Sequence, residues 1–170
     1  MTMTLVVEDG TLIDGANTYL SLDDVRAYAL ARGTTLTSND TKLTTYVVQA
    51  MDYLESFADE FKGTKTSSDQ SLQWPRTDVV IDGSDYPDDG IPIAVKHALG
   101  RLIMDISSGI VLMPTVEGGP FVTEEQIGAI KTSYSQTIGT SGKPKLTAFK
   151  TIIKPVIKTN SGLLISTFRA

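Results

Sequence analysis

The chain of 170 residues contains no cysteine, which removes disulfides, thiolate nucleophiles and cysteine-bound metals from consideration. Nothing in it calls for an oxidising compartment. It has one histidine, His97, so a two-histidine metal site or a Ser-His pair would rest on a single imidazole. That residue lies beside Lys96 in a helical stretch, where a structural or surface role is expected. No GxGxxG and no GxxxxGK[ST] occurs, so no phosphate cradle is visible. No uncharged apolar run approaches the length that spans a bilayer, and no membrane is expected as a partner. The opening Met1-Thr-Met-Thr-Leu-Val-Val-Glu-Asp-Gly has no basic n-region and meets acid at once, unlike a signal peptide. These absences lead to the expectation of a non-enzyme with no cofactor, no metal and no catalytic residue.

Acid is missing from one part of the chain only. Beyond Glu125 there is no Asp or Glu, while Lys131, Lys143, Lys145, Lys150, Lys154, Lys158 and Arg169 follow. The first 125 residues hold all 20 acids against eight bases, within a net charge of −5. An acidic body with a basic end is a partner-facing pattern: the end can meet an acidic neighbour or DNA. A solvated lysine face on a last helix accounts for it equally well. Nine of the twelve aromatic residues precede Lys131, and only Tyr134, Phe149 and Phe168 share the basic segment. Single-strand binding interleaves bases with aromatic platforms, so this separation speaks against it.

The acidic turn Asp82-Gly-Ser-Asp-Tyr-Pro-Asp-Asp-Gly carries Asp82, Asp85, Asp88 and Asp89 but lacks the spacing and closing Glu of an EF-hand. Asn39-Asp40-Thr41 matches the glycosylation sequon, without consequence in a chain lacking a secretory signal.

Apolar periodicity predicts a mainly α fold: a small helical bundle with a short β-hairpin element and an extended C-terminal arm. Helices are expected over about 21–32, 40–62, 92–110 and 145–155. The first is capped by Ser21, with Asp23 and Asp24 at its positive end, and stops at Gly33. The second repeats Leu43, Val47, Ala50, Met51, Leu54, Phe57 and Phe61 at three and four, and stops at Gly63. The third starts at Pro92, where a missing N–H costs nothing. Its broad apolar face makes it the expected central core helix. Pro155 must bend or end the fourth. Leu5 to Ile13 reads as a short strand pair or extended lead, and Thr64 to Gln70 as a polar, mobile loop. A β element is expected over about 121–135, around Gly128. One domain over 1–158 and an arm over 159–170 complete the organisation.

The most informative stretch is Leu72-Gln-Trp-Pro-Arg-Thr77, followed by Ile91-Pro-Ile-Ala-Val-Lys-His-Ala98. It holds the only tryptophan, and three of the seven prolines lie here if Pro87 between the two pieces is included. A ring of that size usually pins a loop to a core. Pro75 fixes its own φ and holds Trp74 extended. Trp74, Pro75 and Arg76 are thus the candidate anchor of a long ordered loop, with Trp74 buried on the second or third helix.

These residues, with Asn17-Thr-Tyr-Leu-Ser-Leu-Asp-Asp-Val-Arg-Ala-Tyr28 and Ala50-Met-Asp-Tyr-Leu54, resemble the head–tail connector (adaptor) proteins of tailed bacteriophages. Many members of that family carry the label DnaT-like single-stranded-DNA-binding. The resemblance covers roughly residues 15–135 and carries over no catalytic residue. It implies a small helical protein forming a homo-oligomeric ring, often of twelve copies, under the portal protein. Such a ring extends the channel for packaged double-stranded DNA and receives the tail, or a stopper or tail-terminator protein. It would reside in the virion neck, after assembly in host cytoplasm. The ending departs from the family. Asn160-Ser-Gly162 has a hinge composition, and Leu163, Leu164, Ile165, Phe168 and Arg169 follow as a candidate partner interface. The arm's contact with portal, neighbouring copy or own domain is left open. A single-stranded nucleic-acid-binding replication accessory protein is the alternative function.

Overall fold

The computed structural model of the chain describes residues 3–113, 124–127, 130–133 and 146–158. Among the described residues, four α-helices run in chain order: α1 Leu22–Leu30, α2 Asp40–Glu55, α3 Ile93–Ser107 and α4 Thr147–Ile153. A 3-10 turn over Lys154–Val156 continues α4. Three antiparallel strand pairs accompany them: β1 Thr64–Lys65 with β2 Arg76–Thr77, β3 Val80–Ile81 with β4 Ser84–Asp85, and β5 Glu124–Ile127 with β6 Ile130–Ser133. The result is a helix-rich small domain with minor β structure.

The helices start where local chemistry allows. The Ser21 hydroxyl accepts from the Asp24 amide at 3.1 Å, and the Asp24 carboxylate accepts from the Ser21 amide at 3.2 Å, a reciprocal cap on α1. The Asn39 side chain accepts from the Lys42 amide at 2.9 Å and caps α2. Pro92 precedes α3 without a side-chain cap. Gly109, at φ +96°, adopts the left-handed conformation just beyond its end.

α3 is the central element and packs against α1, α2 and α4. Val95, Ala98, Leu99, Leu102 and Ile103 of α3 are fully enclosed, as are Leu43, Val47, Ala50 and Leu54 of α2. Phe149, Ile153 and Val156 of the C-terminal segment join the same cluster. The α1–α3 contact depends on Gly100, where an added Cβ would lie 2.6 Å from the Tyr28 ring. The Arg32 guanidinium stacks on that ring at 3.4 Å, and His97 tilts against it at 5.2 Å, so the ring is held from several sides. Alanine ordinarily improves a helix interior over glycine by about 1 kcal/mol. Gly100→Ala should instead destabilise by about 1–3 kcal/mol, because the ring has to move. Equilibrium urea unfolding checks the sign, and a stabilised variant would contradict this account of the contact.

The N-terminal lead is not a strand pair. It makes one parallel bridge, Val7 to Thr18. Its loop closes on the buried Glu8 carboxylate, which accepts from the amides of Gly10, Leu12 and Ile13 at 2.8, 3.0 and 2.9 Å.

Several boundaries differ from expectation. The second helix ends at Glu55 rather than near 62. Residues 56–60 form tight turns, which bring Phe61 into an antiparallel bridge with Ile157. Phe57 and Phe61 keep helical spacing, but Phe57 lies in a turn and Phe61 in the bridge. The third helix ends at Ser107, and the fourth covers only Thr147–Ile153 because Pro155 sits in the 3-10 turn. Thr64–Lys65, expected in a mobile loop, pairs with Arg76–Thr77. Of the acidic turn, Asp82–Gly83 is the tip of the β3–β4 hairpin, Ser84–Asp85 is strand β4, and Asp88 and Asp89 follow it. The β element expected at 121–135 corresponds to β5 and β6. The arm residues Leu163, Leu164, Ile165, Phe168 and Arg169 lie outside the described residues.

Candidate functional site

Two places concentrate polar chemistry against apolar packing. The first is the Trp74-Pro75-Arg76 loop. Trp74 is fully buried and meets Phe61 edge-on, with centroids 5.8 Å apart and planes at 77°. The Trp74–Pro75 peptide bond is cis. The Trp74 amide donates to the Tyr19 hydroxyl at 3.1 Å, and that hydroxyl donates to Glu55 Oε1 at 2.7 Å. Glu55 Oε2 accepts from the Gln73 amide at 2.8 Å. The last residue of α2 therefore holds both the loop and the buried Tyr19.

Arg76 finishes the loop from the other side. Its Nε donates to the Lys62 carbonyl at 2.8 Å and its Nη2 to the Gly63 carbonyl at 2.9 Å. Its Nη1 donates to the Gln73 carbonyl at 3.3 Å and to Gln73 Oε1 at 3.1 Å. The guanidinium also lies 5.8 Å over the Phe61 ring. Gln70 adds a third tie, its Nε2 donating to the carbonyls of Leu72 and Pro75 at 2.8 and 3.0 Å. The loop anchor is thus Trp74 by volume and Arg76 by hydrogen bonds to backbone. The sequence pointed to the first, but nothing in it shows that an arginine will serve carbonyls rather than an acid.

Burial raises the Glu55 carboxyl above the ordinary carboxylate range, against the lowering effects of Tyr19 and the Gln73 amide. Burial, followed by the charge of Glu55, raises the Tyr19 phenol strongly. A carboxyl raised on folding contributes stability that is complete below its unfolded pKa and is lost as pH rises through its folded value. Glu55→Gln keeps an acceptor for the Gln73 amide but cannot ionise. Relative to wild type, the variant should therefore gain in melting temperature as pH rises from the ordinary carboxylate range upward. Paired thermal melts across that window test this, and a difference independent of pH would rule it out.

The second place is a groove of about 500 Å³ where the end of α2 faces α4 and the 3-10 turn. Tyr53, Phe57, Ile153 and Ile157 provide its apolar lining, and Lys150, Lys154 and Lys158 its cations, with Glu60 the carboxylate among them. Tyr53 and Phe57 are half-buried and pack edge-on against the buried Phe149 at 5.5 and 5.3 Å. The three lysines are exposed, and among the described residues none forms an ion pair. Backbone bonds fix the walls: the Lys62 amide donates to the Val156 carbonyl at 2.9 Å and the Lys158 amide to the Glu60 carbonyl at 2.7 Å. Aromatic and basic residues that are separate along the chain thus share one surface. Sequence spacing could not reveal this, because the contact joins α2 to the C-terminal segment.

His97 packs beside Tyr28, with its pKa lowered by burial and then by the Arg32 charge. Among the described residues, no group of three or more His, Cys, Asp or Glu side chains is placed to hold a metal, and no helix is long and apolar enough to cross a membrane.

A family model with the description "Putative DnaT-like ssDNA binding protein" matches residues 3–170. No curated protein and no solved structure matches the chain.

Proposed function

The chain belongs to the DnaT-like ssDNA-binding protein family, and from that premise we propose that it is a structural, non-enzymatic head–tail connector of a tailed phage. One observation supports this most. The residues on which the connector resemblance rests are spent on internal architecture: Trp74 fills the core, Arg76 ties backbone carbonyls, and Val95 and Ala98 are enclosed in α3. A motif used in this way specifies a scaffold. In this reading, copies assemble head to tail into a ring through two different faces of each subunit. The ring sits under the portal, lengthens the channel for packaged double-stranded DNA and receives the tail or a stopper protein. Residues 159–170 act as the docking arm, with Leu163, Leu164, Ile165 and Phe168 as its apolar contacts and Arg169 as its charge.

The second reading, a nucleic-acid-binding replication accessory protein, is favoured by the family description. Assembly separates the two. Electron microscopy and analytical ultracentrifugation of the purified protein, alone and mixed with portal protein, should give a closed ring or a portal-bound ring. A protein that stays monomeric under both conditions would overturn the connector reading.

A further inference from the structure

The groove between the end of α2 and the C-terminal segment sets the cations of Lys150, Lys154 and Lys158 beside a floor of Tyr53, Phe57, Ile153 and Ile157. A complementary occupant brings grouped carboxylates together with apolar surface. The same chain carries such an element. Asp78, Asp82, Asp85, Asp88 and Asp89 lie on the β3–β4 hairpin and its flanks, with no lysine or arginine between residues 78 and 89. All five are exposed, and among the described residues none forms an ion pair. Asp78, Asp85 and Asp88 border one depression with Tyr86 and Pro87. Val80, paired with Asp85 across the hairpin, is 46% exposed and offers an apolar contact among the acids. Within one copy, Lys62 stands between the two surfaces. Its amide donates to the Val156 carbonyl at 2.9 Å, and its Nζ donates to the Val80 carbonyl at 3.0 Å.

We propose that the β3–β4 hairpin of one copy docks in this groove of the next, with its carboxylates on Lys150, Lys154 and Lys158 and with Val80 against the aromatic floor. The inference rests on the head-to-tail assembly proposed above and names the two surfaces that meet in it. Each copy offers one hairpin and one groove, so the contact repeats from copy to copy, as a heterologous interface does. A single exposed ion pair contributes little. A group of carboxylates against a group of lysines steers the encounter and fixes its register, and like charges placed together there are costly. Glu60 borders the groove and repels an acidic occupant, so the hairpin enters along the lysine side.

The test is charge exchange in the full-length protein, read by analytical ultracentrifugation over a series of salt concentrations. One variant changes Lys150, Lys154 and Lys158 to Glu, and the other changes Asp85, Asp88 and Asp89 to Lys. All six side chains are exposed, and thermal melts check that both variants fold. Each variant alone should associate at least about 100-fold more weakly than wild type, because like charges then face each other. An equal mixture of the two should recover association, since every hairpin again finds a groove of opposite charge. Wild-type association should weaken as salt rises. If wild type assembles only on portal protein, the same comparison is made on the portal-bound ring. Variants that assemble like wild type would overturn the proposal and leave the connector reading standing. Loss in both variants without recovery on mixing would overturn it too, and so would a wild-type species that stops at two copies, since head-to-tail contacts do not close there. Unchanged assembly, with oligo-dT binding lost in the lysine variant, would assign the groove to a nucleic-acid strand instead. A wild type that is monomeric alone and with portal would remove both the proposal and the connector reading.

Discussion

Replacing Trp74 with alanine should cost about 3–5 kcal/mol, the largest loss expected from any single substitution in the domain. The indole is wholly enclosed in the common core cluster and meets Phe61 edge-on, so its removal opens a cavity inside that core. For a domain of this size the loss corresponds to a fall in melting temperature of about 10 °C. The contribution is one of volume. Among the described residues the buried indole N–H has no hydrogen-bond partner, so none of their hydrogen bonds is lost with it. Trp74→Phe should therefore be much milder than Trp74→Ala, since it keeps an aromatic ring and discards an unsatisfied donor. Urea unfolding followed by circular dichroism measures both variants. A Trp74→Phe variant as damaged as Trp74→Ala would show that the indole nitrogen matters in a way the packing does not explain. As the sole tryptophan, Trp74 should also emit as a buried indole in the native protein.

Arg76→Ala should be the second most damaging change, at about 3 kcal/mol, because it strips donors from the carbonyls of Lys62, Gly63 and Gln73 at once. Arg76→Lys should rescue little. An ammonium on a flexible stem cannot present three directions of N–H in one plane, and at such a site the two cations are not equivalent. Burial already works against the charge of the guanidinium, and the loop retains it for its hydrogen-bond geometry. A Lys variant that melts with wild type would show that one donor is enough and that the fork is dispensable.

Much of the scaffold was legible in the sequence because it is written locally. Ser21 and Asp24 announce their cap by spacing, and the stripe from Leu43 to Leu54 keeps helical period over the whole of α2. Trp74 was legible as an anchor by size and by the prolines around it. What escaped depends on distant pairing. Two-residue strands such as β1 and β2 carry too little alternation to register. Phe57 and Phe61 mimic a continuing helix, yet the Phe57 ring packs on Phe149 and the Phe61 backbone bridges to Ile157, both from the far end of the chain. The groove escaped for the same reason: Tyr53 belongs to the acidic part and Lys154 to the basic part, and only folding makes them neighbours.

The contribution of Leu146, Phe149, Ile153 and Val156 to the common core also constrains how the protein can be made. Synthesis delivers α1, α2 and α3 long before the segment that covers them. Until that segment arrives, the flank of α3 that α4 will occupy is bare and open to sticking to other nascent chains. Closure is a long-range event whose entropic cost is met late, so a slow final folding step is built into the order of the elements. Fragments ending before Leu146 should for this reason be recovered from cells as aggregates or in the grip of chaperones, whatever the stability of the finished domain.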